Sequence, residues 1–185
     1  MIALDTPATT LFGIPLTIDK LPLLVAAAAR HGWTSHIKST FSHVLARAQQ
    51  PDTVVKLFRD PAYFHYLRYA VHPDNPAFPR LEALHVGPDV SAAFLERLVP
   101  VSAADNGILT DLAITAHISH GHIDPRNAEV RQFAGRFGID ALDALQDIVS
   151  LASTLGYSTD LWPKNFLIRP ATGQLVFADP LCIRC

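Results

Sequence analysis

Apolar and polar residues alternate most clearly between residues 33 and 58, where Val, Leu and Phe positions lie between short runs of turn residues. Strands that carry β-branched and aromatic side chains, bounded by such turns, produce this pattern. It predicts a three-stranded antiparallel meander over Trp33 to Phe58. Two further strands are predicted at about Arg80 to Val86 and Ser91 to Leu98, so that five antiparallel strands precede the main helical part of the chain.

Helical spacing of apolar residues predicts four helices, and a turn late in the chain predicts a β-hairpin. Asp19 is the expected cap of the first helix and Gly32 its expected stop, because Asp accepts from the amides of a helix start and Gly readily ends helices. This order of elements predicts an α+β fold with two lobes. The helices are predicted at about Lys20 to His31, Pro61 to Val71, Ala103 to His120 and Ile139 to Leu155, and the hairpin strands at Asn165 to Arg169 and Gly173 to Ala178.

Composition excludes several classes of protein. The 185 residues carry a formal net charge of -2, so the basic surface that usually holds nucleic acid is not expected. Apolar runs such as Leu21 to Ala29 are shorter than the roughly 20 residues that cross a bilayer, and no membrane partner is expected. The two cysteines, Cys182 and Cys185, lie at the end of the chain, which favours a reducing, cytoplasmic compartment over a disulfide framework.

Three oxygen-bearing side chains around the predicted hairpin suggest phosphoryl-transfer chemistry. Asn165 follows Asp160 by five positions, and Asp179 follows Asn165 by fourteen. Such chemistry needs one carboxylate to orient an acceptor hydroxyl and take its proton, and an amide oxygen and a second carboxylate to hold magnesium. Taken one at a time, each of the three residues could equally be an ordinary turn residue.

The segment from Asp160 to Asp179 resembles the catalytic loop and metal-binding motif of the protein-kinase-like superfamily. The shared pattern is Asp-Leu-x-Pro-x-Asn, then a hydrophobic strand, a turn and a second hydrophobic strand that ends in Asp. The superfamily includes Hanks-type kinases and aminoglycoside-phosphotransferase-like enzymes. The resemblance implies a bilobal kinase-like domain with ATP and Mg²⁺ as cofactors, residues 1–98 forming an N-lobe with a helical extension and residues 99–185 a reduced C-lobe.

Upstream residues extend the resemblance and imply a nucleotide site. Lys56, in Val-Val-Lys-Leu-Phe, resembles the strand lysine that contacts the α- and β-phosphates and supports catalysis. By itself, Lys56 could equally be a charge on an edge strand that limits aggregation. The remaining residues implied to contact nucleotide are Ser39, Thr40, Phe41 and Ser42 in the turn over the phosphates, and Glu96 and Leu98 beside the adenine.

The chain also departs from the family pattern. The turn over the phosphates has no glycine, and residues 61–71 contain no Asp or Glu to pair with Lys56. Only six residues follow Asp179, so the resemblance ends after the metal-binding Asp, as in small kinase-like proteins of bacteriophages. Two functions therefore stay open: a phosphotransferase acting on a hydroxyl acceptor, and a pseudokinase-type module that binds a partner or host protein. A third alternative is a structural protein in which the motif matches arise by chance.

Other clusters receive ordinary interpretations. His117, His120 and His122 do not have a standard zinc spacing, which favours a solvated helix end. A frayed tail is expected at Cys182 and Cys185, because two thiolates do not complete a zinc site. Trp162 is expected to pack on the second lobe.

Overall fold

A computed structural model describes residues 4–6, 10–38, 42–72, 74–119 and 122–183. The chain divides into two compact units. The first comprises Met1–Asp60 and Arg80–Arg97, and the second comprises Pro61–Pro79 and Leu98–Cys185. Within the described residues, no helix is long and apolar enough to cross a membrane.

The first unit is built on a mixed sheet of six strands. Five neighbouring strands pair antiparallel in the order β7-β8-β6-β5-β4, which confirms the five predicted strands. The sequence pattern missed β1, which adds to the edge of β7 in parallel. The strands of this unit are β1 (Leu4–Thr6), β2 (Thr10–Leu11), β3 (Ile14–Pro15), β4 (Trp33–Lys38), β5 (Ser42–Arg47), β6 (Gln50–Phe58), β7 (Leu81–Val86) and β8 (Ser91–Glu96).

The helix α1 (Leu21–Arg30) covers one face of this sheet. Its Leu24 and Ala28 share a buried cluster with Val55 and Leu57 of β6. The prediction that Asp19 caps this helix is wrong. Asp19 lies in a preceding 3₁₀ turn, Ile18–Lys20, and accepts a hydrogen bond of 2.6 Å from the Thr17 hydroxyl.

Gly87 marks the place where the N-terminal segment crosses the turn between β7 and β8. A Cβ atom at this position would lie 2.2 Å from the Cβ atom of Leu16 and 2.5 Å from its carbonyl oxygen. No side chain fits at such distances, so glycine permits the close approach. Val90 then donates its N–H to the Leu16 carbonyl over 3.3 Å, which fixes the crossing.

The second unit combines helices with short strands. Two of its helices, at residues 61–70 and 139–155, match the prediction closely, and the helix from Ala103 ends two residues earlier than predicted. Its strands form a three-stranded sheet in the order β12-β11-β9 and a separate antiparallel pair, β10 with β13. The elements are α2 (Pro61–Ala70), β9 (Val99–Pro100), α3 (Ala103–Ile118), α4 (Ala128–Phe137), α5 (Ile139–Leu155), β10 (Ser158–Thr159), β11 (Phe166–Arg169), β12 (Gln174–Phe177) and β13 (Leu181–Cys182).

Helix α4 was missed by the sequence analysis. It is short, and only Val130 and Phe133 are buried from it, so its apolar stripe is too narrow to give a clear period. An ion pair joins it to α3: the Arg136 Nε atom lies 2.6 Å from the Asp105 Oδ1 atom. Phe133 also packs with the rings of Phe166 and Phe177, which places α4 against the hairpin.

The tail at Cys182 is ordered, so the prediction of fraying is wrong for this residue. Leu181 is buried and pairs with Thr159, while Cys182 pairs with Ser158. Burial of Leu181 stabilises this segment in its folded position. The two cysteines, on which the prediction of a frayed tail was based, gave no indication of that burial. Cys185 lies outside the described residues.

Candidate functional site

The loop that carries Asp160 begins where helix α5 ends. Gly156 has a φ of +72°, in the left-handed region, and its N–H bonds to the Ser153 carbonyl at the helix C-terminus. Glycine adopts this conformation without the Cβ clash that other residues meet. The chain then forms β10 and reaches Asp160, whose N–H donates to the Pro180 carbonyl over 2.7 Å. The residue after Asp179 therefore fixes the backbone at Asp160.

Asn165 joins the two ends of this loop by hydrogen bonds. It closes a 3₁₀ turn, Pro163–Asn165, and its buried side chain donates from Nδ2 to the Asp160 carbonyl over 2.8 Å. The Asn165 carbonyl in turn accepts the N–H of Ala178 over 2.8 Å. An amide that donates with its nitrogen keeps its oxygen as an acceptor for a cation. These bonds connect Asp160, Asn165 and the residue next to Asp179.

Asp179 follows β12 and is half-buried, and its charge acts on two buried tyrosines of α2. Burial raises the pKa of the Tyr63 phenol well above 10, and the charge of Asp179 raises it further. Burial also raises the pKa of the Tyr66 phenol well above 10, with smaller contributions from Tyr63 and Asp179. Both phenols are therefore neutral at neutral pH. The Tyr66 hydroxyl donates to the Phe177 carbonyl, two residues before Asp179.

The loop that follows α2 supports the hairpin. Arg169, buried on β11, donates to the Pro76 carbonyl over 2.7 Å and to the Phe78 carbonyl over 3.1 Å. The Phe177 N–H donates to the Ala77 carbonyl over 3.0 Å. This loop thus contacts both hairpin strands through backbone carbonyls. The three prolines of the segment predicted only a break in the helix and did not indicate this role.

Two further residues near Asp160 differ from expectation. Trp162 is 47% exposed, so the predicted packing of its ring is wrong. Lys164 was overlooked: its Nζ atom lies 3.7 Å from the Asp160 Oδ2 atom, four residues away across the 3₁₀ turn. The i, i+4 spacing was the signal that could have revealed this pair. The Asp160 side chain is 25% exposed, which leaves it accessible to a small hydroxyl compound.

Lys56 lies on β6, in the interior of the first unit's sheet. It pairs with Val44 of β5 and Ala93 of β8, so the interpretation as an edge-strand charge is wrong. Because side chains alternate along a strand, Lys56 lies on the face opposite Val55 and Leu57. Only 9% of Lys56 is exposed, a rare state for lysine, which is seldom buried unless it has a partner.

The other residues predicted to contact nucleotide have varied positions. Ser39, Thr40 and Phe41 lie outside the described residues. Ser42 opens β5 opposite Phe58. Glu96 ends β8, where its carboxylate accepts the Arg80 N–H over 2.9 Å, and Leu98 is half-buried as the first residue of its segment in the second unit.

The donor set in the second unit fits magnesium better than zinc. Asn165 and Asp179 offer an amide and a carboxylate oxygen, which are hard ligands, and magnesium usually takes its remaining ligands from phosphates and water. In the described parts of the chain, no group of three His, Cys, Asp or Glu side chains could hold a metal. His117 and His122 are exposed, whereas His120 lies outside the described residues. Asp124 is bound by Arg126, which lowers the pKa of its carboxyl to about 2.

Comparisons with known proteins found matches among solved structures. No protein-family model matches the chain, and no curated protein matches it significantly. Among solved structures, the BubR1 kinase domain aligns with 81% of this chain and 46% of its own, at 15% identity and a TM-score of 0.37. Rad53 in complex with AMP-PNP aligns with 82% of this chain and 38% of its own, at 15% identity and a TM-score of 0.41.

A third similar structure is the bifunctional kinase-methyltransferase WbdD. It aligns with 83% of this chain and 34% of its own, at 14% identity and a TM-score of 0.38. The chain thus spans less than half the length of each of these three proteins. TM-scores below 0.5 at such identities do not establish a common family, ligand or activity.

Proposed function

We propose that this protein is a kinase-like phosphotransferase that transfers the γ-phosphoryl group of ATP to a hydroxyl acceptor with Mg²⁺. The observation that carries the proposal is the pair of hydrogen bonds made by Asn165. Its side chain bonds to the Asp160 carbonyl, and its own carbonyl bonds to the Ala178 N–H. The bonds join the backbone at Asp160, Asn165 and Ala178, which supports the proposal that a proton acceptor and two metal ligands belong to one small framework, as phosphoryl transfer requires.

Each residue has a distinct role in the proposed reaction. Asp160 accepts a hydrogen bond from the acceptor hydroxyl, orients it and takes its proton as the new P–O bond forms. At the same time the bond from the γ-phosphorus to the β,γ-bridging oxygen breaks, and ADP leaves with that electron pair. The Asn165 amide oxygen and the Asp179 carboxylate would hold the magnesium ion. When bound, magnesium neutralises charge on the phosphates. Lys56 is proposed to contact the α- and β-phosphates, the role that its resemblance to the strand lysine of the kinase-like superfamily implies.

A binding module without catalysis is the alternative, and one observation favours it. Helix α2 contains no Asp or Glu, so it offers no carboxylate to orient Lys56. A pseudokinase-type module that binds a partner protein does not need such a carboxylate. Nucleotide binding and phosphoryl transfer must therefore be measured separately.

Thermal unfolding with and without Mg-ATP tests nucleotide binding. A ligand at 100 times its Kd stabilises the folded state by about 2.7 kcal/mol, so the wild-type melting temperature should rise. Asp179→Asn removes the charge and nearly preserves shape, and it should abolish most of that rise. Asp143→Asn makes the same change at an exposed position of α5 and should leave the rise intact. An unchanged wild-type melting temperature at millimolar Mg-ATP would exclude the proposed function.

Transfer of labelled phosphate separates the enzyme from the binding module. Asp160→Asn should lower the rate of transfer by about 10²–10⁴, the usual contribution of a general base, while the rise in melting temperature stays. Wild-type protein that binds Mg-ATP but transfers nothing to itself, to small hydroxyl compounds or to lysate proteins would favour the binding module.

A further inference from the structure

Both backbone polar groups of Phe177, the last residue of β12, are bonded by parts of the chain before residue 80. Its carbonyl accepts the Tyr66 hydroxyl, and its N–H donates to the Ala77 carbonyl over 3.0 Å. Only Ala178 separates Phe177 from Asp179, and the Ala178 N–H is itself bonded to Asn165. The path of the backbone into Asp179 is thus set by successive hydrogen bonds from three different segments.

The Tyr66 hydroxyl has a specific part in this arrangement. Tyr66 is 0% exposed. Burial of its hydroxyl without a hydrogen-bond partner would destabilise the folded state by more than burial of that edge of the ring stabilises it. Phenylalanine would fill the same space, so packing alone does not explain a tyrosine here. The bond to Phe177 does explain it, because it fixes a carbonyl next to the segment that carries the carboxylate.

Tyr63 lies beside Tyr66, one helical turn earlier on the buried face of α2. Their ring centroids are 6.1 Å apart, and the charge of Asp179 contributes to the raised pKa of both phenols. A carboxylate ligand binds metal well only when neighbouring groups hold its orientation.

We propose that Tyr66 is a positioning residue that orients Asp179 for magnesium by bonding the Phe177 carbonyl. The inference rests on the proposed function, since it assigns the orientation of the metal-binding carboxylate. Helix α2, which lacks carboxylates, thereby contributes to the site through the Tyr66 hydroxyl.

Tyr66→Phe tests the proposal, with Tyr69→Phe as the matched control. Tyr69 lies on the same helix, and the pKa of its phenol is raised by burial and by Asp147 instead of by Asp179. Magnesium is titrated against a fixed ATP concentration, and ATP affinity is also measured without magnesium. Tyr66→Phe should raise the magnesium requirement about tenfold, the size expected for one lost hydrogen bond, and leave magnesium-free ATP affinity unchanged. Tyr69→Phe should change neither quantity.

Amide hydrogen exchange provides a readout that needs no nucleotide. In Tyr66→Phe, the Phe177 and Ala178 amides should exchange about tenfold faster than in the wild type, whereas Tyr69→Phe should leave them unchanged. If wild-type protein does not bind Mg-ATP, the proposed function fails, and exchange still decides whether Tyr66 anchors this segment. If wild-type protein binds and both variants require the same magnesium concentration, the positioning role of Tyr66 is overturned.

A measurement on the wild type alone covers the case in which Tyr66→Phe does not fold. In protein with labelled tyrosine rings, magnesium added to the ATP-bound form should shift the resonances of Tyr63 and Tyr66 and leave those of Tyr69 in place. Equal shifts at all three rings, or none at Tyr66, would overturn the proposal.

Discussion

Lys56 and Asp179 are held by two different kinds of structure. Lys56 lies in a regular antiparallel ladder, where Val44 and Ala93 flank it on neighbouring strands and repeated backbone hydrogen bonds fix its position. Asp179 lies beyond the end of a short strand. The backbone beside it is held by single hydrogen bonds that Ala178, Phe177 and Pro180 make with residues of other segments.

The two regions should respond differently to the substitution of a side chain. A ladder distributes its energy over many equivalent bonds, so the loss of one side chain leaves the backbone in place. A loop held by single polar contacts loses its geometry when one partner is removed, because the buried group left behind has no replacement. Substitutions in the second unit should therefore cost more stability than comparable ones in the sheet.

The largest expected effect is that of Arg169→Met. Arg169 is buried and donates to two carbonyls, at Pro76 and Phe78, which would both lose their donor. The free energy of unfolding should fall by about 2–4 kcal/mol in urea titrations. Thr53→Val in the sheet removes an exposed hydrogen bond to Glu82 and should cost no more than about 0.5 kcal/mol. Equal decreases in the free energy of unfolding for the two variants would show that the second unit is no more sensitive to substitution than the sheet.

An intermediate effect is expected for Lys56→Met, which keeps the length of the side chain and removes its charge. The ladder should hold β6 in place, because its backbone hydrogen bonds do not involve the Lys56 side chain. Affinity for Mg-ATP should fall at least about tenfold if Lys56 contacts phosphate. Calorimetry measures this affinity, and Lys20→Met at an exposed position of the first unit is the control. Unchanged affinity would remove Lys56 from the proposed site.

The smallest expected effect is a pH dependence from Asp105. The hydrogen bond from Arg136 lowers the pKa of the Asp105 carboxyl from 3.8 in the folded state, against the opposing effect of burial. A lowered folded pKa means that the stabilisation is present above the unfolded pKa and is lost as pH falls through the folded value. Asp105→Asn should thus cost about 1 kcal/mol near neutral pH, and the difference from the wild type should shrink below pH 3.8.

Urea titrations at several pH values measure this difference. The exposed Asp143→Asn variant should show no comparable change with pH. A cost for Asp105→Asn that stays constant below pH 3.8 would show that the ion pair to Arg136 does not stabilise α3 against α4.

Much of the fold could be predicted from the chain alone. The five antiparallel strands have clear period-two patterns and turn residues between them, and α5 has buried positions at Ala141, Ala144, Leu145 and Ile148, three and four residues apart. Helix α4 and the pair β10–β13 could not be predicted. Their apolar content is small, and they are stable only because Phe133 and Leu181 are buried by residues distant in the sequence.

The candidate site also contains residues that could be predicted from the sequence and residues that could not. The spacing of Asp160, Asn165 and Asp179 could be read directly, because it is local and depends on residue types. The ion pair between Lys164 and Asp160 could also be predicted, because its i, i+4 spacing is local. The contacts of Tyr66 and Arg169 could not, because their partners lie 111 and about ninety residues away along the chain, and no local pattern encodes such contacts.

The sequence by itself determined the five antiparallel strands, the longer helices and the residue types at the hairpin, because strand alternation, helix spacing and turn residues act over a few positions. Only the tertiary structure decided that Lys56 lies on an interior strand and that Tyr66 bonds the backbone ahead of Asp179. Strand order and buried hydrogen bonds depend on which distant segments meet in the folded chain. That choice is made by the packing of the whole unit and not by any single stretch of residues.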